Sequence, residues 1–190
     1  MYTIEELKEI MRERLTKKRY IHSLNVADES RKLAKKWSVD QDTAYLAGLL
    51  HDICKDIPQK EQKDMVDKSS FSVDTVELFS PPLWHAIAGA WYAENILGIT
   101  DKNIINAIRY HTVSRAGMSR LEEIIYIADL ISIDRNYKDA ERMRRLAYTN
   151  LDRTMLEAIK YSIIYVVNKG SKLPSSTIEA YNQYTLVKNK

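Results

Sequence analysis

The sequence carries a single cysteine, Cys54, among 190 residues. An internal disulfide is therefore excluded, and a lone thiol suits a reducing cytosol, which sets a cytoplasmic expectation. Glycine occurs only five times and proline four. Asn-Gly and Asp-Gly pairs are absent, which removes the strongest short-range signal for β-hairpins. No stretch reaches the ~18 consecutive apolar residues of a membrane-spanning helix. The opening residues Met1-Tyr2-Thr3-Ile4-Glu5-Glu6 lack an apolar signal core. An excess of one charge is missing too: 29 Lys and Arg stand against 26 Asp and Glu. That balance, with no long basic run, gives no nucleic-acid signature.

What is present reads as helix. Apolar residues make up 45% and charged residues 29%, ordinary for a soluble globular chain long enough for one domain with its own core. Apolar positions recur with helical spacing throughout, so the expectation is an all-α, single-domain helical bundle over 1–190. Thr3-Ile4-Glu5-Glu6 is a capping box opening a first helix. A second runs from about Arg19 to Trp37, and a third from Asp40-Gln41-Asp42 to His51-Asp52. Residues 55–80 are least regular: a polar helix near 59–68, then a loop placed as a lid over a site. Pro81-Pro82 pre-sets the next helix, with Trp84, Ile87, Ala88, Trp91 and Ile96 on it and Gly98 at its end. Thr100-Asp101 caps the following one, Ser119-Arg120-Leu121-Glu122 opens Leu121 to Ile133, and further helices fall near 138–147 and from Asn150 to about Val167. Ser176-Thr177-Ile178-Glu179 caps the last.

The chemistry concentrates in few residues. There are four histidines, His22, His51, His85 and His111, each on a separate expected helix with apolar neighbours. A single buried histidine is commonly just satisfied by a backbone carbonyl; four, with none elsewhere, point to a shared purpose. Gly89, one turn after His85, would leave room beside it. Asp52 follows His51 directly. Asp129 interrupts the apolar run Ile124 to Ile131, where a carboxylate needs a partner or a metal; the simpler alternative is a salt bridge to a basic residue from elsewhere. Four imidazoles and two carboxylates suit iron, manganese, zinc, cobalt or nickel. Six ligands are too many for one cation with an open position and fit two, ~3.5–4 Å apart.

These residues resemble the HD-domain metal-dependent phosphohydrolase superfamily, which is marked by a His, a later His-Asp pair and a distal Asp: His22, His51-Asp52 and Asp129. Arg19-Tyr20-Ile21-His22-Ser23-Leu24-Asn25, His51-Asp52-Ile53-Cys54-Lys55, His111-Thr112, Ser114 to Glu122 and Ile125 to Asp129 further resemble the bacterial YqeK-type symmetrical bis(5'-nucleosyl)-tetraphosphatases. The resemblance implies an HD-type bundle with its metal site in the core, on helices at about 19–134, and C-terminal helices at 138–190 completing it. It implies symmetrical hydrolysis of diadenosine tetraphosphate to two ADP, with two divalent ions, iron foremost. By the family pattern, His22, His51, Asp52 and Asp129 hold one metal, and Asp52, His85 and His111 the other, with Asp52 bridging and a metal-bound hydroxide attacking phosphorus. Arg19, Lys55, Thr112 and Arg135 are the matching phosphate contacts, and Arg115, four residues after His111, is added on charge. Tyr20, Tyr110 or Tyr126 could stack on adenine, and Cys54 reads as packing. The string Thr112-Val113-Ser114 departs from the family's Thr-Thr-Gly, and Leu130-Ile131-Ser132-Ile133-Asp134 replaces a segment that in the family carries Glu-Pro. Competing expectations are another nucleotide phosphohydrolase, a diiron oxygenase on the same ligands, and a nucleotide-binding module without catalysis. The expected partner is a small dinucleotide, with neither nucleic acid nor membrane; a homodimer stays open.

Overall fold

The computed structural model describes residues 2–187; the ends of the expected 1–190 span lie outside the described residues. Eleven helices and no strand occur among them. In order they are α1 (Ile4–Arg14), α2 (Lys17–Lys36), α3 (Gln41–Leu50), α4 (Gln59–Lys68), α5 (Thr75–Leu78), α6 (Pro81–Asn95), α7 (Lys102–Tyr110), α8 (Arg120–Ile131), α9 (Ala140–Ala147), α10 (Leu151–Asn168) and α11 (Ser175–Val187).

Side-chain caps define most starts. Thr3 with Glu6, Asp74 with Glu77 and Ser119 with Glu122 form reciprocal capping boxes, while Thr16, Asp40, Asp101 and Asn150 each accept from a backbone amide of the first turn. Each cap satisfies amides that would otherwise lack partners. Pro81 and Pro82 occupy the first turn of α6, where their missing N–H groups cost nothing.

The helix α8 lies at the centre. It packs against α2, α3, α7, α9 and α10, while α6 bridges α4 and α7. Its Ile124, Ile125 and Ile127 are fully buried, as are Leu49 and Leu50 of α3 and Ile105 and Ile108 of α7. The close approach of α3 to α2 requires Gly48: a Cβ there would stand 2.6 Å from Ser30 Oγ and 3.0 Å from Ala27 Cα.

The differences from expectation are local. The last helix begins at Ser175, so Ser176 sits inside it rather than capping it. Ile96 follows the end of α6 and is half exposed, and Ile133 lies beyond α8 in solvent. Residues 69–80 are fastened rather than loose. Arg109 of α7 donates to the Ser72 carbonyl and forks onto Glu77, Nη1 to Oε1 at 2.7 Å and Nη2 to Oε2 at 2.9 Å. Trp84 Nε1 donates to the Glu77 and Leu78 carbonyls. No helix among the described residues is long and apolar enough to cross a membrane.

Candidate metal centre

The four histidines arrive from four helices. His22 lies in α2 and His85 in α6, while His51 and His111 are the residues that end α3 and α7. All four are buried, as is Asp52. Their rings follow one another in edge-on contacts: His22 to His51 with centroids 5.4 Å apart, His51 to His111 at 5.0 Å, His111 to His85 at 5.2 Å.

The Nδ1 partners fix which nitrogen faces inward. His51 Nδ1 donates to the Gly48 carbonyl at 2.6 Å, His85 Nδ1 to Pro82 at 2.9 Å and His111 Nδ1 to Ile108 at 2.7 Å. Each partner is three residues earlier, on the imidazole's own helix or the turn that begins it. His22 Nδ1 donates instead to Asp134 Oδ2 at 2.8 Å, and Asn25 Nδ2 donates to the other oxygen of Asp134. A carbonyl or carboxylate oxygen only accepts, so each Nδ1 carries a proton and Nε2 is the nitrogen that faces the cluster.

Those nitrogens face the two carboxylates. His22 Nε2 is 2.9 Å from Asp129 Oδ1. His85 Nε2 is 3.3 Å and His111 Nε2 3.5 Å from Asp52 Oδ1. His51 Nε2 and Asp52 Oδ1 are buried without a hydrogen-bond partner. Lys55, Arg19 and Arg135 stand against His85 Nε2, Asp52 Oδ2 and Asp129, so the orphaned His51 Nε2 and Asp52 Oδ1 are the part of the cluster that lacks a positive partner and fits a cation. Two sets have ligating atoms within 4.8 Å of one another, His22–His51–Asp129 and His51–Asp52–His111. The donor set therefore fits divalent metal ions, and its lack of sulfur disfavours a purely structural zinc site.

Charge follows from the same packing. Burial alone would raise the Asp52 carboxyl, but His51, His111 and His85 outweigh it and hold it well below the usual carboxylate range. Asp129 is likewise held low by His22 and Arg135 against its own burial. Burial pushes His85 down to about 4, keeping it neutral. Burial also lowers the Lys55 ammonium from its ordinary value, against the pull of Asp52.

Of the five expected phosphate contacts, four stand at the cluster. Arg19 Nη1 donates to Asp52 Oδ2 at 2.8 Å. Lys55 Nζ lies 3.1 Å from His85 Nε2. Arg135 Nε donates to the Asp129 carbonyl at 2.8 Å, and its Nη2 pairs with the Asp129 carboxylate. That pair is the salt bridge foreseen as the alternative for Asp129. Thr112 Oγ1 is buried without a partner beside His111. Arg115 is engaged elsewhere: it forks onto Glu122, the capping residue of α8, at 2.7 and 2.8 Å. Its charge was read from sequence proximity to His111, and the local carboxylate takes it.

The other residues singled out in the sequence have varied surroundings. Gly89 does not clear space for His85; a Cβ there would meet Ile108, Ile53 and the His51 carbonyl. Tyr20 is covered by Arg12, and Tyr110 lies between Arg109 and Arg115. Tyr126 is buried with its hydroxyl donating to Ser162. Cys54 is buried, and burial pushes its thiol up to about 11, which fits packing rather than reactivity. Ser114 has φ +57°, the left-handed region, at the position where the resembled family carries glycine.

Sequence reading missed Asp134 and the tyrosines of the adjoining cavity. That cavity, about 390 Å³, opens beside His111, Asp129 and Arg135 and continues to Tyr137, Tyr161 and Tyr165. A smaller one, about 300 Å³, reaches His85 from the side of Lys55, Pro81 and Pro82. Asp134 lacked any signal because it sits in a loop and its partner is far away in the chain.

Comparison with known proteins identifies the family. The HD domain family model matches residues 19–134. The chain is 33% identical over 178 residues to the Bacillus subtilis protein named bis(5'-nucleosyl)-tetraphosphatase, symmetrical, covering 94% of this chain and 95% of that one. A Staphylococcus aureus protein of the same name is 33% identical over 183 residues, covering 95% and 94%. A crystal structure from Clostridium acetobutylicum, described as a predicted HD superfamily hydrolase involved in NAD metabolism, superposes with a TM-score of 0.93 at 33% identity over the whole of both chains. The chain thus belongs to the HD-domain family, in the group whose members are named symmetrical bis(5'-nucleosyl)-tetraphosphatase.

Proposed function

We propose that this chain is a metal-dependent hydrolase that splits diadenosine tetraphosphate at its central phosphoanhydride into two ADP. The observation that carries the reading is the convergence of four Nε2 atoms on two carboxylates, each imidazole held by its Nδ1 partner. The names of the relatives support the substrate.

In this reading His22, His51, Asp52 and Asp129 would hold one divalent ion and Asp52, His85 and His111 a second, with iron the first choice and manganese, cobalt, nickel and zinc as alternatives. Bound ions supply Lewis acidity and a water of lowered pKa. The chain's own residues do the rest. Arg19, Lys55 and Arg135 surround the cluster with positive charge, which draws in the polyphosphate and offsets charge developing on its oxygens. The Thr112 hydroxyl, without a protein partner, is free to donate to a phosphate oxygen. Water adds to one of the two central phosphorus atoms, the bond to the bridging oxygen breaks, and that oxygen leaves with the other ADP. This cationic surround favours a polyanion over the oxygenase alternative. The reading carries with it one domain spanning the chain, a cytoplasmic setting, and no nucleic-acid or membrane partner.

Chelation tests it. Metal-stripped protein should release no ADP from the dinucleotide, and activity should return as a divalent ion is titrated to two per chain. Full activity after stripping would overturn the reading.

A further inference from the structure

We propose that the cavity walled by Tyr137, Tyr161 and Tyr165 is a nucleobase subsite that seats one half of the dinucleotide by aromatic stacking. The inference rests on the function proposed above and deepens it.

The loop after α8 ties the cavity to the cluster. Within four residues, Asp134 accepts from His22, Arg135 pairs with Asp129, and Tyr137 enters the cavity wall. Tyr137 stacks on Tyr161 of α10, with ring centroids 4.8 Å apart and planes 34° from parallel. A metal-ligand cluster and a guanidinium at one end and an aromatic platform at the other match a molecule that is anionic at one end and flat at the other. A cavity of about 390 Å³ falls in the range of small-molecule sites, ~300–1,000 Å³.

Two further observations point to a ligand. Thr112 Oγ1 and Tyr137 Oη, both in this wall, are buried without hydrogen-bond partners. Burial also pushes the Tyr137 hydroxyl up to about 12, so it remains a donor. Unlike Tyr126 and Tyr184, which are 5% and 4% exposed, Tyr161 and Tyr165 are 39% and 52% exposed. Large apolar rings held at the rim of a cavity are available to a partner rather than committed to the core.

The test is calorimetric binding of ADP and of inorganic pyrophosphate to metal-loaded protein. Wild-type protein should bind ADP more tightly than pyrophosphate. Tyr161→Ala, at a side chain outside the core, should weaken ADP by roughly tenfold, as loss of one base-stacking contact does, and leave pyrophosphate within about twofold. Tyr161→Phe keeps the ring and should retain wild-type ADP affinity. Unchanged ADP binding in Tyr161→Ala, or equal weakening of both ligands, would overturn the subsite. A wild-type protein that shows the predicted ADP preference yet leaves the dinucleotide intact would overturn the proposed reaction and leave the subsite standing.

Discussion

His85 Nε2 and His111 Nε2 lie 3.3 Å apart, with both Nδ1 atoms committed to backbone carbonyls. Both nitrogens also face Asp52 Oδ1, at 3.3 and 3.5 Å. A divalent cation held there would tie α6 and α7 to Asp52, just past the end of α3, so metal binding and folding would be coupled.

Adding a saturating divalent ion should accordingly stabilise the fold. At a free concentration of about 100 times Kd the gain is about 2.7 kcal/mol, or roughly 5–10 °C in Tm for a chain of this size. Differential scanning calorimetry with and without metal measures it. Asp52→Asn should abolish most of the shift.

Asp134 should act on the metal through His22. Asp134→Asn keeps the shape but weakens the acceptor that orients the ring, and losing the partner that orients a ligating imidazole costs about 10–100-fold in metal affinity. Competition with a chromogenic chelator reads the change directly. An unchanged affinity would show that His22 is oriented by α2 alone.

The Arg109–Glu77 fork is almost wholly buried, with side chains 1% and 3% exposed. Glu77→Gln leaves a buried guanidinium without its counter-charge, a loss of about 3–5 kcal/mol. Urea unfolding should show that loss, and proteolytic cleavage within 69–80 should quicken because the segment loses its latch. A loss well under 1 kcal/mol would mean that Trp84 holds the segment unaided.

Two glycines should respond with opposite signs. Gly48→Ala drives a methyl into Ser30 and the Ala27 backbone and should destabilise by about 1–3 kcal/mol. Gly89→Ala meets its nearest neighbour, Ile108 Cγ2, at 3.4 Å. Helix propensity should therefore prevail at Gly89, giving a gain of up to ~1 kcal/mol. Thermal melts of the two variants decide it.

The parts of this molecule that were legible in the sequence are those with local causes. Thr3–Glu6 and Ser119–Glu122 form their capping boxes within four residues, and apolar spacing located ten of the eleven helices, with only the four-residue α5 unnamed inside a loop. The histidines stood out because burying four imidazoles without a purpose is costly. What stayed hidden was set by distant partners or by competition between near ones. Asp134 reaches His22 across 112 residues, and Tyr137 meets Tyr161 only because the loop after α8 folds against α10. Arg115 pairs with Glu122 seven residues on, a choice that its spacing from His111 could not reveal. The Ser176 box failed because the helix starts one residue earlier, directly after Pro174.

The most direct test of the central claim is product analysis after anaerobic incubation of metal-reconstituted protein with diadenosine tetraphosphate. The account predicts ADP as the sole nucleotide product, formed without oxygen and absent with Asp52→Ala. An intact dinucleotide, or AMP and ATP in equal amounts, would contradict it.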